Sequence, residues 1–190
     1  MTCELALVPQ YLVQRGNKAA ENVLSICLGV VFLSLLAQIA VPLPWTPVPI
    51  TGQTFGVSLT ALLWGRKRSS AIILSYLLLG GLGLPIFAMG KSGFSIGPTM
   101  GYLVGMAVAA YWMGTLSDWG WTKTWLRSYL TALLGSVIIF SSGVMLLSVF
   151  IPAKDLWSAG VLPFLPGDFF KTLLSSFIAF QTQKAWEQKL

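Results

Sequence analysis

The sequence predicts an all-α integral membrane protein, and three observations carry that expectation. Of its 190 residues 55% are hydrophobic and only 9% are charged, where a soluble domain carries about 25% charged residues. The hydrophobic residues gather into six apolar runs separated by proline-, glycine- or lysine/arginine-bearing connections. The cationic connections alternate with nearly uncharged ones, the pattern of a chain that crosses a bilayer repeatedly.

Residues 1–21 carry charges of both signs and no cleavable apolar core, so they read as a cytoplasmic tail. Residues 22–190 then form a single transmembrane domain, because no polar stretch is long enough to fold outside the bilayer. The first run, 22–41, has the length of a bilayer-spanning helix. Within it Ser25 and Gly29 form a small-xxx-small ridge that suits close helix packing, within this chain or against another.

Residues 42–54 hold four prolines in eight positions, which forbids a helix and favours an extended lid. Gln53 is the one side-chain amide there and both donates and accepts. A second run, 55–65, is short and ends at Arg66, Lys67 and Arg68. The third, 69–87, loosens at Gly80, Gly81 and Gly83. A glycine-bearing loop, 88–99, holds one cation, Lys91; glycine permits backbone to approach a ligand closely. The fourth run is 101–116, with small residues on one face. The fifth is 125–150, followed by a loop or short interfacial helix over 152–162. The sixth runs from about Gly167 to Phe180 and continues into a polar tail.

At the head of that last run stands Pro163-Phe-Leu-Pro-Gly-Asp-Phe-Phe-Lys171. Ionisable groups at membrane depth cost a few kcal/mol each, so they face a cavity, a partner or a ligand. Asp168 and Lys171 are three apart and share one helical face. They could touch one small molecule, pair with each other, or leave Asp168 merely capping the helix.

Lysine and arginine fall at 15–18, 66–68, 123–127 and 184–189, whereas the opposite connections hold only Lys91 and Lys154. The positive-inside rule therefore places both termini in the cytoplasm with six spans between them. Gln53, Lys91, Asp168 and Lys171 then converge on a pocket open to the outside.

Several function classes drop out. Histidine is absent and the only cysteines are Cys3 and Cys27, so neither a metal site nor a structural disulfide is expected. No acid lies between Glu21 and Asp118, which leaves no paired-carboxylate or Ser-His catalytic site; no enzyme activity and no cofactor are expected. The net charge of +6 follows topology and forms no nucleic-acid-binding stripe. No phosphate-binding G-x-x-x-x-G-K-[ST] occurs, so the chain cannot itself hydrolyse ATP.

Four motifs in order resemble the BioY proteins, the substrate-binding S components of energy-coupling-factor (ECF) biotin transporters. They are Pro42-Leu-Pro with Val48-Pro-Ile-Thr-Gly-Gln-Thr-Phe55, Gly80-Gly-Leu-Gly-Leu-Pro-Ile-Phe-Ala88, Gly97-Pro-Thr-Met-Gly-Tyr-Leu-Val-Gly105 and the 163–171 segment. The resemblance implies the six-helix S-component fold in the cell membrane, with biotin held near the outer surface. It also implies a transmembrane coupling subunit and two ABC-type ATPase subunits as partners. The chain departs from the family in a bulkier first-helix stripe and in a loop, Met89-Gly-Lys-Ser-Gly93, thinner in glycine.

Biotin suits the candidate residues. Asp168 can accept charge-assisted bonds from the ureido N–H groups, with Gln53 completing that pattern. Lys171 or Lys91 can pair with the valerate carboxylate, and Tyr102 and Trp45 can wall the apolar ring. Two rival readings remain: an S component for another vitamin-like molecule, and a solitary ion-coupled transporter that uses Asp168 as carrier, although no inverted repeat is visible for the latter.

Overall fold

A computed structural model describes residues 18–93 and 96–188. Most of the expected N-terminal tail, with Cys3 and Arg15, therefore lies outside the described residues, as do Phe94 and Ser95 of the glycine-bearing loop.

The described chain is helical apart from one two-residue ladder. Helix α1 covers Lys18–Gln38. Strands β1 (Ala40–Val41) and β2 (Ile50–Thr51) pair antiparallel, with Ala40 opposite Thr51 and Val41 opposite Ile50. The proline segment is thus the loop of a hairpin. Its ladder satisfies backbone groups that prolines leave without helical partners. Helix α2 follows over Gln53–Gly81, then α3 over Met100–Asp118, α4 over Trp125–Leu147, a short α5 over Leu156–Gly160 and α6 over Leu165–Glu187.

The second and third apolar runs differ from expectation. They are one helix, broken at Gly65, and the 66–68 triplet is helical rather than a connecting loop. Gly65 takes φ 71°, a conformation that a residue with a Cβ rarely adopts. Helix α3 answers the break. The Ser117 hydroxyl donates to the Leu62 carbonyl at 2.6 Å, and Asp118 Oδ2 accepts from the Arg66 N–H at 3.1 Å. A carboxylate at the restarting N-terminus is favourable for the helix dipole. Gly114 lets α3 approach this closely: a Cβ there would lie 2.6 Å from Arg66 backbone atoms.

Packing runs α1 on α2, α2 on α3 and α3 on α4, with α6 against both α2 and α4. The core includes Leu33, Ile72, Ile73, Tyr76, Ala109, Met113 and Ile139. Gly29 faces inward, since a Cβ there would collide with Ile72; the ridge in the first helix therefore packs within the chain. The outward stripe of α1, Leu24, Leu28, Val31 and Leu35, is exposed and apolar. Such a surface suits hydrocarbon rather than water.

By length and composition two stretches can cross a membrane, Glu21–Gln38 and Trp125–Leu147, and a third if Ala153–Gly160 and Leu165–Glu187, bent by 44°, form one span. The helices on which the six predicted runs fall are all present, counting the two halves of α2 separately.

Candidate functional site

At the end of the bundle that carries the hairpin loop, a cavity of about 410 Å3 opens, within the roughly 300–1,000 Å3 of small-molecule pockets. The hairpin supplies Val48, Pro49 and Thr51; the head of α2 supplies Gln53 and Thr54. Residues 87–93 form the facing edge. Tyr102, Leu103 and Met106 of α3, Ile139 and Phe140 of α4, and Phe164, Asp168 and Lys171 complete it. The wall is mostly apolar, with a few convergent polar groups.

Five of the six residues singled out from sequence, Gln53, Lys91, Tyr102, Asp168 and Lys171, line this one cavity. Their individual situations differ. Asp168 is 7% exposed. It does not cap α6: the N-cap is Phe164, no side-chain cap bond forms, and the Asp168 N–H already donates to the Phe164 carbonyl at 2.8 Å. The Ser136 hydroxyl and the Lys171 ammonium face its carboxylate, yet among the described residues no ion pair joins Asp168 to Lys171. The pairing of the two that sequence left open is thus not made as a contact. A carboxylate buried without an ion-pair contact is costly, and its opening is toward the cavity.

Lys171 reaches across to the lid instead. Its Nζ donates to the Thr51 carbonyl at 2.6 Å and to Thr54 Oγ1 at 3.4 Å. An ammonium has three protons, so one stays available. Lys91 is exposed at the cavity edge, and its ammonium donates no hydrogen bond among the described residues.

Gln53 and Tyr102 are more committed than expected. The Gln53 amide donates to Tyr76 Oη at 2.7 Å and accepts from the Thr51 hydroxyl at 3.1 Å. The Tyr102 hydroxyl donates to the Gly160 carbonyl at 2.8 Å, so its ring, not its hydroxyl, faces the cavity; it packs close to Gly143, where a Cβ would lie 2.3 Å away. Trp45 is 63% exposed and does not line the cavity; the expected wall is supplied by Phe87, Phe140 and Phe164 instead. The lid is tied down elsewhere by the Thr46 hydroxyl, which donates to the Ala159 carbonyl at 2.7 Å.

Among the described residues no group of three or more His, Cys, Asp or Glu could hold a metal ion. A largely apolar cavity with one buried carboxylate and two ammonium groups, set in the end of an apolar helical bundle, defines a membrane protein that binds a small solute. The family follows from comparison. The BioY family model matches residues 10–188, and the chain belongs to the BioY family. It is 35% identical over 147 residues to the biotin transporter BioY of Thermotoga maritima, covering 76% of this chain and 86% of that protein. It is 36% identical over 166 residues to the probable biotin transporter BioY of Pyrococcus horikoshii, covering 86% and 97%. The fold superposes with TM-score 0.81 on the crystal structure of the S-component for biotin from an ECF-type ABC transporter, at 25% identity, covering 89% of this chain and 94% of that one.

Proposed function

We propose that the chain binds biotin in this cavity and serves as the substrate-binding S component of an ECF transporter for biotin uptake across the cell membrane. Family membership and the names borne by its relatives support that reading. The observation that carries it to residues is the Asp168 carboxylate, buried, without an ion pair among the described residues and lining the cavity. Such a group is matched by a ligand with paired N–H donors. A ureido ring supplies them, and each charge-assisted bond is about twice as strong as a neutral one.

In this reading Lys171 meets the valerate carboxylate with its remaining proton, and the aromatic wall takes the apolar ring. A second assignment is favoured by one observation: Lys171 already holds Thr51, whereas the Lys91 ammonium has no hydrogen-bond partner among the described residues. Lys91 would then meet the valerate and Lys171 would keep the lid closed.

The chain crosses the membrane six times, with residues 1–21 and the C-terminus cytoplasmic and the cavity facing out. The alternation of cationic connections supports this orientation. Energy comes from partners, a transmembrane coupling subunit and two ABC-type ATPase subunits, because the chain has no nucleotide-binding motif. The test is equilibrium titration of the purified full chain with biotin and with a panel of other vitamins. Saturable biotin binding that the others do not displace is expected. Tighter binding of a different vitamin would replace biotin as the substrate, and binding of none would overturn the reading.

A further inference from the structure

Behind the cavity wall the two loops that enclose it are joined by a chain of hydrogen bonds. On the hairpin side the Thr51 hydroxyl donates to Gln53 Oε1 at 3.1 Å. Gln53 Nε2 donates to Tyr76 Oη at 2.7 Å, and the Tyr76 hydroxyl donates to the Ile86 carbonyl at 3.0 Å. On the far side Gln38 Nε2 approaches the Ile86 and Phe87 carbonyls at 3.4 and 3.2 Å. Gln38 Oε1 accepts from the Gly90 N–H at 3.0 Å. Residues 86–90 lead directly into Lys91.

Tyr76 is the middle of this chain. It is fully buried and does not line the cavity. Its ring meets Phe87 edge-on, with centroids 5.4 Å apart and planes at 70°, and Phe87 is cavity wall. Phe87 sits there because Gly80 leaves room: a Cβ at residue 80 would lie 2.3 Å from its ring. The direction of each bond is fixed by chemistry. A carbonyl only accepts and an amide NH2 only donates, so the hydroxyl must give its proton to Ile86 and accept from Gln53. Through this one oxygen Tyr76 joins Gln53, which holds the hairpin's Thr51, to the 86–91 loop.

We propose that Tyr76 is a positioning residue for ligand binding, whose hydroxyl couples the hairpin loop to the 86–91 loop and holds both cavity walls in register. The coupling is a property of the folded chain, while its effect on affinity rests on the biotin reading above.

The test uses the full chain with Cys3→Ser, Cys27→Ser and Met89→Cys, since Met89 lies on the 86–91 loop and is half exposed. Maleimide labelling at residue 89 reports how that loop is held, without any ligand. Thr51→Val, which removes the first hydrogen bond on the hairpin side, is expected to speed labelling when Tyr76 is present. With Tyr76→Phe, labelling is already fast and Thr51→Val adds nothing. Equal acceleration in both backgrounds, or none in either, overturns the coupling. Biotin titration is the second arm. Tyr76→Phe leaves the buried Gln53 NH2 without a partner and the Ile86 carbonyl with only the longer Gln38 bond, and about tenfold weaker binding is expected. Parental affinity with a lowered melting midpoint would make Tyr76 a merely structural residue and overturn its positioning role. Failure of the parent chain to bind biotin would overturn the biotin reading alone, with the labelling cycle still deciding the coupling.

Discussion

The two ends of the bundle treat their carboxylates in opposite ways. At the Gly65 break, Asp118 caps the restarting helix through the Arg66 N–H, and the neighbouring Ser117 satisfies the Leu62 carbonyl. At the cavity, Asp168 caps nothing and forms no ion pair among the described residues, although it is buried and stands three residues from Lys171. The first carboxylate repairs backbone that a kink would otherwise strand. The second is held at a desolvation cost that the Ser136 hydroxyl and the Lys171 charge offset only in part. Polar groups that answer one another inside the fold serve the fold; a buried charge left facing a cavity is a ligand group in waiting.

Substitutions at the two ends should therefore separate affinity from stability. The largest effect is expected at Asp168→Asn. The amide keeps one acceptor but turns an NH2 toward the ureido donors and loses the charge, which costs roughly 1.5–3 kcal/mol of binding, or about ten- to a hundredfold. Desthiobiotin keeps the ureido ring and should show the same sensitivity, measured by titration.

Lys171→Met comes next, with about tenfold weaker biotin binding expected from loss of one charge-assisted contact and of the Thr51 anchor. The amide of biotin's carboxyl group sharpens the assignment. If Lys171 meets the valerate, the amide binds weakly to the parent and loses little more in Lys171→Met. A full further loss would show that Lys171 serves the lid.

At the other end Asp118→Ala should lower stability by about 1–3 kcal/mol, the cost of stranding the Arg66 N–H. Biotin affinity should stay at the parental value, since Asp118 does not line the cavity. A matching loss of affinity would break the contrast between the two ends. The smallest effect is expected at Lys91→Ala. Weakening of about two- to threefold suits an exposed, screened cation; a loss equal to that of Lys171→Met would move the valerate to Lys91.

Much of the fold is legible in the sequence. Apolar runs bounded by proline and glycine mark the helices because a bilayer leaves few other solutions. Asp168 and Lys171 stood out because charge in such a run is rare, and Gln53, Lys91 and Tyr102 fell on the motifs that flank the same end. The Gly65 break was less legible. Three cations in a row read as a connection, yet the helix continues because Ser117 and Asp118, over fifty residues away, satisfy its interrupted ends. The two-residue ladder beneath the proline loop is too short to leave an alternating pattern. Tyr76 carried no signal either, since a tyrosine in an apolar helix reads alike whether it faces lipid or the core. Gln38 left a faint one, as the one glutamine in the first run, and its contacts to residues 86–90 could not be read from that. Trp45 was expected as a wall and points outward, a side-chain direction that no spacing within an irregular loop determines.

The central claim is that Asp168 is kept for a ligand and not for the fold, and ligand-dependent thermal unfolding tests it most directly. A ligand that binds only the folded state stabilises it by about 2.7 kcal/mol at a hundred times its Kd. Unfolding of the parent and of Asp168→Asn is followed in the same detergent, without biotin and at one fixed biotin concentration. An unliganded midpoint in Asp168→Asn that equals or exceeds the parent's is expected, because a buried charge is removed, together with a biotin-induced shift that largely disappears. A lowered unliganded midpoint with an undiminished biotin shift would show that Asp168 supports the fold and leaves the ligand alone.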